Sequence, residues 1–118
     1  MPPRARARAG GRPRPPAADA AFRAIADPTR RAILLDLGAA GELTAGDIAD
    51  RFVISRPAVS KHLAVLRRAG LVHERRAGRE RRYALDHAPL REVGAYLAAL
   101  DAFWAGRLEE LGRALDDA

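Results

Sequence analysis

The sequence of 118 residues contains no cysteine. This absence excludes disulfides, thiolate zinc sites, iron–sulfur clusters and thiol nucleophiles. Aromatic residues are also scarce, at 5% of the chain, whereas 48% of the chain is hydrophobic, so alanine and leucine must fill the interior. Small side chains of this kind favour a single helix-rich domain with a modest core.

Long apolar runs are absent too. No run approaches the roughly 18 residues that a membrane span needs, and the N-terminal segment lacks the hydrophobic region of a signal peptide. We therefore expect a cytoplasmic protein with no membrane partner. Residues 1–17, rich in arginine and proline, are expected to form a disordered tail before a folded domain of residues 18–118. Their composition leaves open whether the tail contacts a DNA minor groove, is inert or reflects a misplaced start codon.

Acidic residues are missing before Asp19, and the later charges are strongly segregated. Residues 51–82 hold ten basic and two acidic side chains, whereas the flanking segments 19–50 and 83–118 are net negative. A basic block inside one small domain is typical of a surface that binds a polyanion. Of the 21 basic residues 20 are arginine, which suits forked contacts with phosphate and guanine, although a GC-rich genome produces the same bias.

Start and stop signals predict two short helices in the first part of the domain. The first helix is predicted over residues 18–25. Asp27 followed by Pro28 is typical of an N-cap and a first helical residue, and therefore predicts the start of the second helix. Gly38 predicts the end of that helix.

Two further helices follow, about three residues apart. Thr44 and Asp47 resemble a capping box and predict the start of the third helix. Ser55 predicts the N-cap of the fourth helix, and Gly70 predicts its end. Residues spaced four and three apart give the fourth helix one apolar face, made of Val59, Leu63 and Leu66.

A hairpin and a long helix complete the domain. Strands are predicted over residues 71–76 and 81–85, around a turn at 77–80. A two-stranded hairpin is marginal on its own, so it must pack on the helices. The apolar side chains available for this packing are Leu71, Val72, Tyr83 and Leu85.

The last helix is predicted over residues 88–115 and carries an apolar stripe. The stripe is longer than so small a domain can bury, which predicts a homodimer formed through this helix with help from the first one. The residues predicted in the interface are Phe22, Leu90, Val93, Leu97, Leu100, Trp104, Leu108 and Leu111.

The predicted elements follow the order of a winged helix-turn-helix, an α+β fold that is mostly helical: four helices, two strands and a fifth helix. The sequence also resembles the ArsR family of bacterial winged-helix repressors. The matching stretches are ADPTRRAILLDL (26–37), ELTAGDIADRFVISRPAVSKHLAVLRRAGLV (42–72) and HERRAGRERRYAL (73–85). This resemblance implies a homodimeric repressor that binds double-stranded DNA, with a dimer interface built from the first and last helices. We expect such a protein to lie at the nucleoid.

The polar face of the fourth helix is the predicted recognition surface. Small side chains let a helix approach DNA closely, and donors near its N-terminus suit base edges in the major groove. The alternative interpretation is an ordinary solvated helix face. Base-edge contacts are predicted for Arg56, Ser60 and Lys61, and phosphate contacts for His62, Arg67 and Arg68.

The hairpin concentrates positive charge at its tip. Like charges on facing strands destabilise the pairing, and phosphate would offset that repulsion. The alternative is a soluble loop relieved by Glu74 and Glu80. The wing residues predicted to contact DNA are Arg75, Arg76, Arg79, Arg81 and Arg82.

Metal sensing and catalysis are not expected. Related metal sensors place thiolates in the third helix, where this chain has residues 43–47 without cysteine, or His and carboxylate pairs on the last helix, where His87 stands alone. No cofactor is predicted. Ser60 and His62 are two apart on a helix and do not face each other, so they do not form a catalytic pair. An organic effector or a partner protein that gates the same DNA-binding dimer is the alternative, and the sequence specifies neither the operator nor the effector.

Overall fold

The structure is a computed structural model that describes residues 16–117, with side chains from residue 19 onward. The predicted tail lies outside the described residues, except that α1 already begins at Pro16. The helices are α1 (Pro16–Ile25), α2 (Pro28–Ala40), α3 (Ala45–Phe52), α4 (Arg56–Arg68) and α5 (Ala88–Asp117). The strands are β1 (Leu43–Thr44), β2 (Val72–Ala77) and β3 (Glu80–Leu85), which form one antiparallel sheet in the order β1-β3-β2. The predicted winged helix-turn-helix architecture is therefore confirmed.

The junction between α1 and α2 is held by reciprocal capping. The Asp27 carboxylate accepts a hydrogen bond from the Arg30 N–H at 2.9 Å, and this bond is the main reason that the pKa of Asp27 is lowered. In the opposite direction, Arg30 Nε donates to the Ala24 carbonyl and Arg31 Nη1 donates to the Ile25 carbonyl, both at 2.7 Å. Two arginines of α2 thus satisfy carbonyls that the end of α1 leaves open.

The prediction that Gly38 ends α2 is wrong. The helix continues to Ala40 and ends at Gly41, whose φ of 88° lies in the region that favours glycine. The Gly41 N–H donates to the Leu37 carbonyl at 2.9 Å, which closes the last turn. A helix tolerates an interior glycine at a cost of about 1 kcal/mol, so a glycine near the end does not by itself stop it.

The helix-turn-helix begins at two caps that the sequence predicts correctly. Thr44 Oγ1 accepts from the Asp47 N–H, and the Asp47 carboxylate accepts from the Thr44 N–H, each at 3.1 Å. The bond that the carboxylate accepts from the Thr44 N–H is the largest cause that lowers the pKa of Asp47. Ser55 Oγ accepts from the Ala58 N–H at 3.2 Å and so caps α4. Local chemistry therefore fixes where both helices start.

The end of α4 directs the chain into the wing. Gly70 adopts a φ of 76°, and its N–H donates to the Arg67 carbonyl at 3.0 Å. The next N–H, that of Leu71, donates to the Leu66 carbonyl at 2.9 Å. This pair of bonds is a Schellman motif, and the fully buried Leu66 and Leu71 supply the hydrophobic contact that often accompanies it.

The turn between α3 and α4 contains a strained residue. Val53 adopts φ 51° and ψ 45°, which is the left-handed region, and its side chain is 91% exposed. A left-handed conformation costs an L residue roughly 1–2 kcal/mol, and a β-branched side chain is especially unsuited to it. Because the valine side chain is exposed, its burial contributes little that could offset this cost.

Val53→Gly should raise the free energy of unfolding by about 0.5 to 1 kcal/mol. Glycine removes the left-handed strain, and only part of that gain is offset by the greater freedom of the unfolded chain. Urea unfolding of the two proteins measures the difference. Val53→Ala, which keeps a Cβ, is the control and should gain less. A lower stability for Val53→Gly would show that the left-handed valine is not strained.

The sheet is larger than predicted and the wing turn is tighter. Strand β1 pairs with β3 through Leu43 opposite Tyr83, and a strand of two residues has no pattern that a sequence can reveal. In the hairpin Ala77 lies opposite Glu80, so only two residues form the turn, and not four as predicted. Gly78 supplies the positive φ of 65° that such a turn requires.

The core lies among α1 to α4 and the base of the hairpin, and it confirms the predicted apolar face of α4. Val72 is buried, and Tyr83 and Leu85 pack against the core with partial burial, as predicted for the hairpin. The largest fully buried side chains are Ile33, Leu37, Ile48, Val59, Leu66 and Leu71.

Helix α5 touches this core only through its first turns. Pro89 and Val93 are buried, and Phe22 of α1 meets Tyr96 edge to face at 5.5 Å between ring centroids. Beyond Val93 nearly every described residue of α5 is exposed. A 30-residue helix is about 45 Å long, so most of α5 projects from the domain.

Candidate nucleic-acid interface

The exposed face of α4 carries basic and hydroxyl side chains at its N-terminal end. Arg56, Ser60 and Lys61 are all exposed, while Leu63 on the opposite side is buried. Within residues 19–117, neither Arg56 nor Lys61 forms an ion pair or a side-chain hydrogen bond. Their donors are therefore available to an external acceptor, as a base-reading role requires.

His62 is separated from these residues. Its side chain is partly buried. The pKa of Asp27 is lowered mainly by the hydrogen bond from the Arg30 N–H, and His62 contributes to a lesser degree. The imidazole thus lies on the flank of α4 near the start of α2. His62 is therefore less exposed than Arg56, Ser60 and Lys61 on the same helix.

The predicted phosphate contacts of the last turn of α4 divide in two. Arg67 is ion-paired with Glu74 of β2, which connects the recognition helix to the wing. Arg68, one residue later, is exposed and has no carboxylate partner among the described side chains. Only Arg68 is therefore free of a competing carboxylate.

The wing is attached to the body of the domain by a bidentate ion pair. Arg75 Nε lies 2.6 Å from Glu42 Oε2, and Arg75 Nη2 lies 2.8 Å from Glu42 Oε1. This contact lowers the pKa of Glu42 and raises the pKa of Arg75. Sequence reasoning missed Glu42, because 33 residues separate the two partners and no local pattern connects them.

Facing arginines on the wing strands are relieved by carboxylates. Arg75 lies opposite Arg82, and Arg76 lies opposite Arg81. Glu80 pairs with Arg82 at 2.9 Å, and Glu74 approaches Arg81 at 3.9 Å in addition to Arg67. Glu74 and Glu80 therefore offset part of the repulsion between the facing arginines, which the sequence analysis expects phosphate to offset.

Two wing arginines have no such partner. Arg76 on β2 and Arg79 in the two-residue turn form no ion pair with any described carboxylate. Both side chains are exposed. Of the five predicted wing contacts, these two are the ones that can meet a phosphate without first breaking an ion pair.

A second candidate surface is the apolar stripe of α5. Leu97 is 51% exposed, Trp104 56% and Leu108 63%, which is unusual for large apolar side chains on one helix face. Val93 is only 4% exposed, because the α5 turn that carries it packs on the core of its own protomer. The prediction that Val93 belongs to the dimer interface is therefore corrected: it is a core residue. Phe22 and Leu90 are half-buried in the same region.

An open apolar groove of about 490 Å³ lies between α1, α2, the end of β3 and the start of α5. Its volume falls in the range of small-molecule pockets. Among the described lining residues Arg31 is the charged one, and its Nη1 donates to the Ile25 carbonyl. The apolar lining includes Leu34, Leu35, Leu85 and Leu90.

Two further features are absent from residues 19–117. This part of the chain has no cluster of three or more His, Asp or Glu side chains placed to hold a metal ion. Among the described helices, none is long and apolar enough to cross a lipid bilayer.

Known proteins share this helix-turn-helix. A family model described as a helix-turn-helix domain matches residues 25–75. The HTH-type transcriptional regulator Rv2034 of Mycobacterium tuberculosis is 45% identical over 83% of this chain and 88% of its own length. The transcriptional repressor SdpR of Bacillus subtilis is 46% identical over 60% of this chain and 78% of its own length. Among solved structures, the ArsR family transcriptional regulator RHA00566 has a TM-score of 0.70 and 33% identity, over 80% of this chain and 97% of that one.

Proposed function

The chain belongs to the ArsR family of helix-turn-helix transcriptional regulators, and from this premise we propose that it is a homodimeric repressor that occupies an operator. Its relatives are transcriptional regulators, which is a non-enzymatic role. In this proposal α4 enters the major groove and the β2-β3 hairpin lies against the sugar-phosphate backbone.

The distribution of unpaired positive charge carries the proposal. Residues 51–82 contain ten basic side chains, and five of them have a carboxylate partner. Unpaired cations on exposed helix and hairpin positions match the requirements of base readout and phosphate contact. The five without a carboxylate partner in the described structure are Arg56, Lys61, Arg68, Arg76 and Arg79.

Each cation then has a proposed role. Arg56 and Lys61, together with the hydroxyl of Ser60, contact base edges from the first turns of α4. Arg68, Arg76 and Arg79 contact phosphates, which fixes the register of the protein on the duplex but conveys no sequence information. Arg67 and Arg75 attach the wing to the rest of the domain through Glu74 and Glu42. Arg81 and Arg82 are paired with carboxylates of the wing itself, and we assign His62 a secondary phosphate contact.

Dimerisation is proposed to occur through the α5 stripe. An exposed apolar face on a projecting helix is self-complementary when two copies meet about a two-fold axis. Two recognition helices related by such an axis read an inverted repeat, with half-sites one helical turn of DNA apart or a multiple of it. Occupation of a promoter by the dimer would block transcription, and it would place the protein at the nucleoid.

A second candidate function is the same dimer gated by an apolar organic effector. The apolar groove favours it, because the lining joins the start of α5 to the end of β3 in the wing. A ligand in the groove would touch both the dimerisation helix and a DNA-binding element. Release of the operator on addition of an apolar compound, in the binding assay described next, would establish this function.

The proposal is tested by selecting DNA with the wild-type protein from a pool of duplexes with a random core. We expect enrichment of an inverted repeat that the protein protects from cleavage in a footprint. Affinity for the selected duplex should be the same with a chelator and with added zinc, because we propose a regulator without a metal site. Failure to enrich any sequence would overturn the proposed function, and a tenfold metal-specific change, about 1.4 kcal/mol of coupling, would overturn its metal independence.

A further inference from the structure

Gly46, in the first turn of α3, lies directly under the side chain of Arg56, the first residue of α4. A Cβ built on Gly46 would lie 2.5 Å from Arg56 Nη2, 3.2 Å from its Cζ and 3.5 Å from its Nε. Real Cβ atoms essentially never approach a heavy atom to less than 3.0 Å. The Arg56 guanidinium therefore occupies space that exists only because residue 46 has no side chain.

Backbone conformation does not explain this glycine. The described glycines with positive φ are Gly41, Gly70 and Gly78, and Gly46 is not among them. A glycine within a helix is less favourable than alanine, so α3 would be more stable with alanine at this position. The nearest atoms that a Cβ at this position would meet all belong to Arg56.

The Arg56 side chain has no polar partner among the described residues. It forms no ion pair and no side-chain hydrogen bond within residues 19–117. The space over Gly46 admits this conformation of the long Arg56 side chain and leaves its N–H donors unoccupied. A Cβ at position 46 would exclude this conformation, so a forked contact made from it would need the arginine to bind in another way.

We infer that Gly46 is a positioning residue for operator recognition, because its missing side chain leaves the space from which the Arg56 guanidinium contacts a guanine base. The inference rests on the proposed function. The recognised chemistry is the pair of acceptors O6 and N7 on the major-groove edge of guanine, which a guanidinium contacts with two parallel hydrogen bonds. Gly46 itself need not touch DNA.

The test uses Gly46→Ala in the full chain, and it predicts two effects of opposite sign. The Tm should rise, because alanine is the better helix former and the displaced group is the flexible end of an arginine. Discrimination between the selected duplex and a scrambled duplex should fall about five- to tenfold, within what one good base contact supplies. A residue with a merely structural role would change both quantities in the same direction.

Two further variants test whether the effect of Gly46→Ala depends on Arg56. Arg56→Ala should lower discrimination at least as much, and Gly46→Ala should add nothing in the Arg56→Ala background. Gly106→Ala is the matched control, because a Cβ at Gly106 meets no atom within 4 Å and the residue lies on α5 away from the stripe. That variant should raise the Tm and leave discrimination unchanged.

The outcomes separate the inference from the proposed function. If the wild-type protein discriminates no sequence, the proposed function fails. If it discriminates and Gly46→Ala retains full discrimination, the inference is overturned while the proposed function stands. A lower Tm for Gly46→Ala, or an equal loss in the Arg56→Ala background, would also overturn the inference, because the effect would then not act through the arginine.

Discussion

Leu108→Glu should convert the protein from a dimer to a monomer at micromolar concentration and lower its affinity for an operator more than a hundredfold. Leu108 is 63% exposed in one protomer and lies on the α5 stripe, where a second copy would bury it. Full burial of a leucine stabilises an interface by about 1.5 to 3 kcal/mol. In a dimer with a two-fold axis the substitution occurs twice, so the lost burial is counted twice. The lost burial, together with the cost of placing an unpaired carboxylate in the interface, exceeds about 3 kcal/mol, which is more than a hundredfold in the dimer dissociation constant.

The matched control for this experiment is Ala99→Glu. Ala99 follows Leu97 by two residues, so it lies on the opposite side of α5, and the same charge there should leave the dimer intact. Sedimentation equilibrium measures the association of all three proteins, and a titration of the selected duplex measures their affinity. A wild-type protein that is monomeric at micromolar concentration would contradict the proposed interface outright.

Helix starts were the most predictable part of this fold, because a cap is a local chemical arrangement. The Asp27-Pro28 pair, the Thr44 and Asp47 box and the Ser55 cap each satisfy backbone N–H groups within three residues of the cap. No distant residue needs to be known for such a bond to form. The periodic apolar face of α4 was equally predictable, since three residues on one side specify which side is buried.

Features that depend on distant partners were not predictable. Strand β1 has two residues and forms only because β3 offers a free edge to Leu43 and Thr44. The end of α2 falls at Gly41 and not at Gly38, although either glycine by itself is a helix stop signal. Which glycine ends the helix depends on the conformation of the segment that follows, and no local pattern in the sequence specifies that conformation.

The candidate site shows the same division. The sequence indicates that α4 and the hairpin are basic, because charge is a property of single residues. It does not indicate which cations are free, because pairing depends on where carboxylates arrive in the fold. Glu42 reaches Arg75 across 33 residues of chain, whereas Arg79 at the turn has no described carboxylate to pair with. Structure therefore reduces a set of many arginines to a few with testable roles.

Lys61→Ala and Arg79→Ala should weaken DNA binding in two distinguishable ways. Lys61, on the exposed face of α4, is proposed to contact a base, so its removal should narrow the free-energy gap between the selected and a scrambled duplex by about 1 to 3 kcal/mol. Arg79, in the wing turn, is proposed to contact a phosphate, so its removal should weaken binding to both duplexes about equally. Titrations of both duplexes measure the two quantities for each variant.

Salt dependence supplies the independent measure. Each lost phosphate contact should reduce the slope of log affinity against log salt by about 0.9, so Arg79→Ala should flatten the slope. Arg113→Ala is the control, because it removes the same charge from the far end of α5 and should leave the slope nearly unchanged. If Arg79→Ala instead abolished sequence preference at an unchanged slope, the wing turn would be reading the groove. The division between a base-reading α4 and a phosphate-binding wing would then be wrong, because phosphate contacts convey no sequence information.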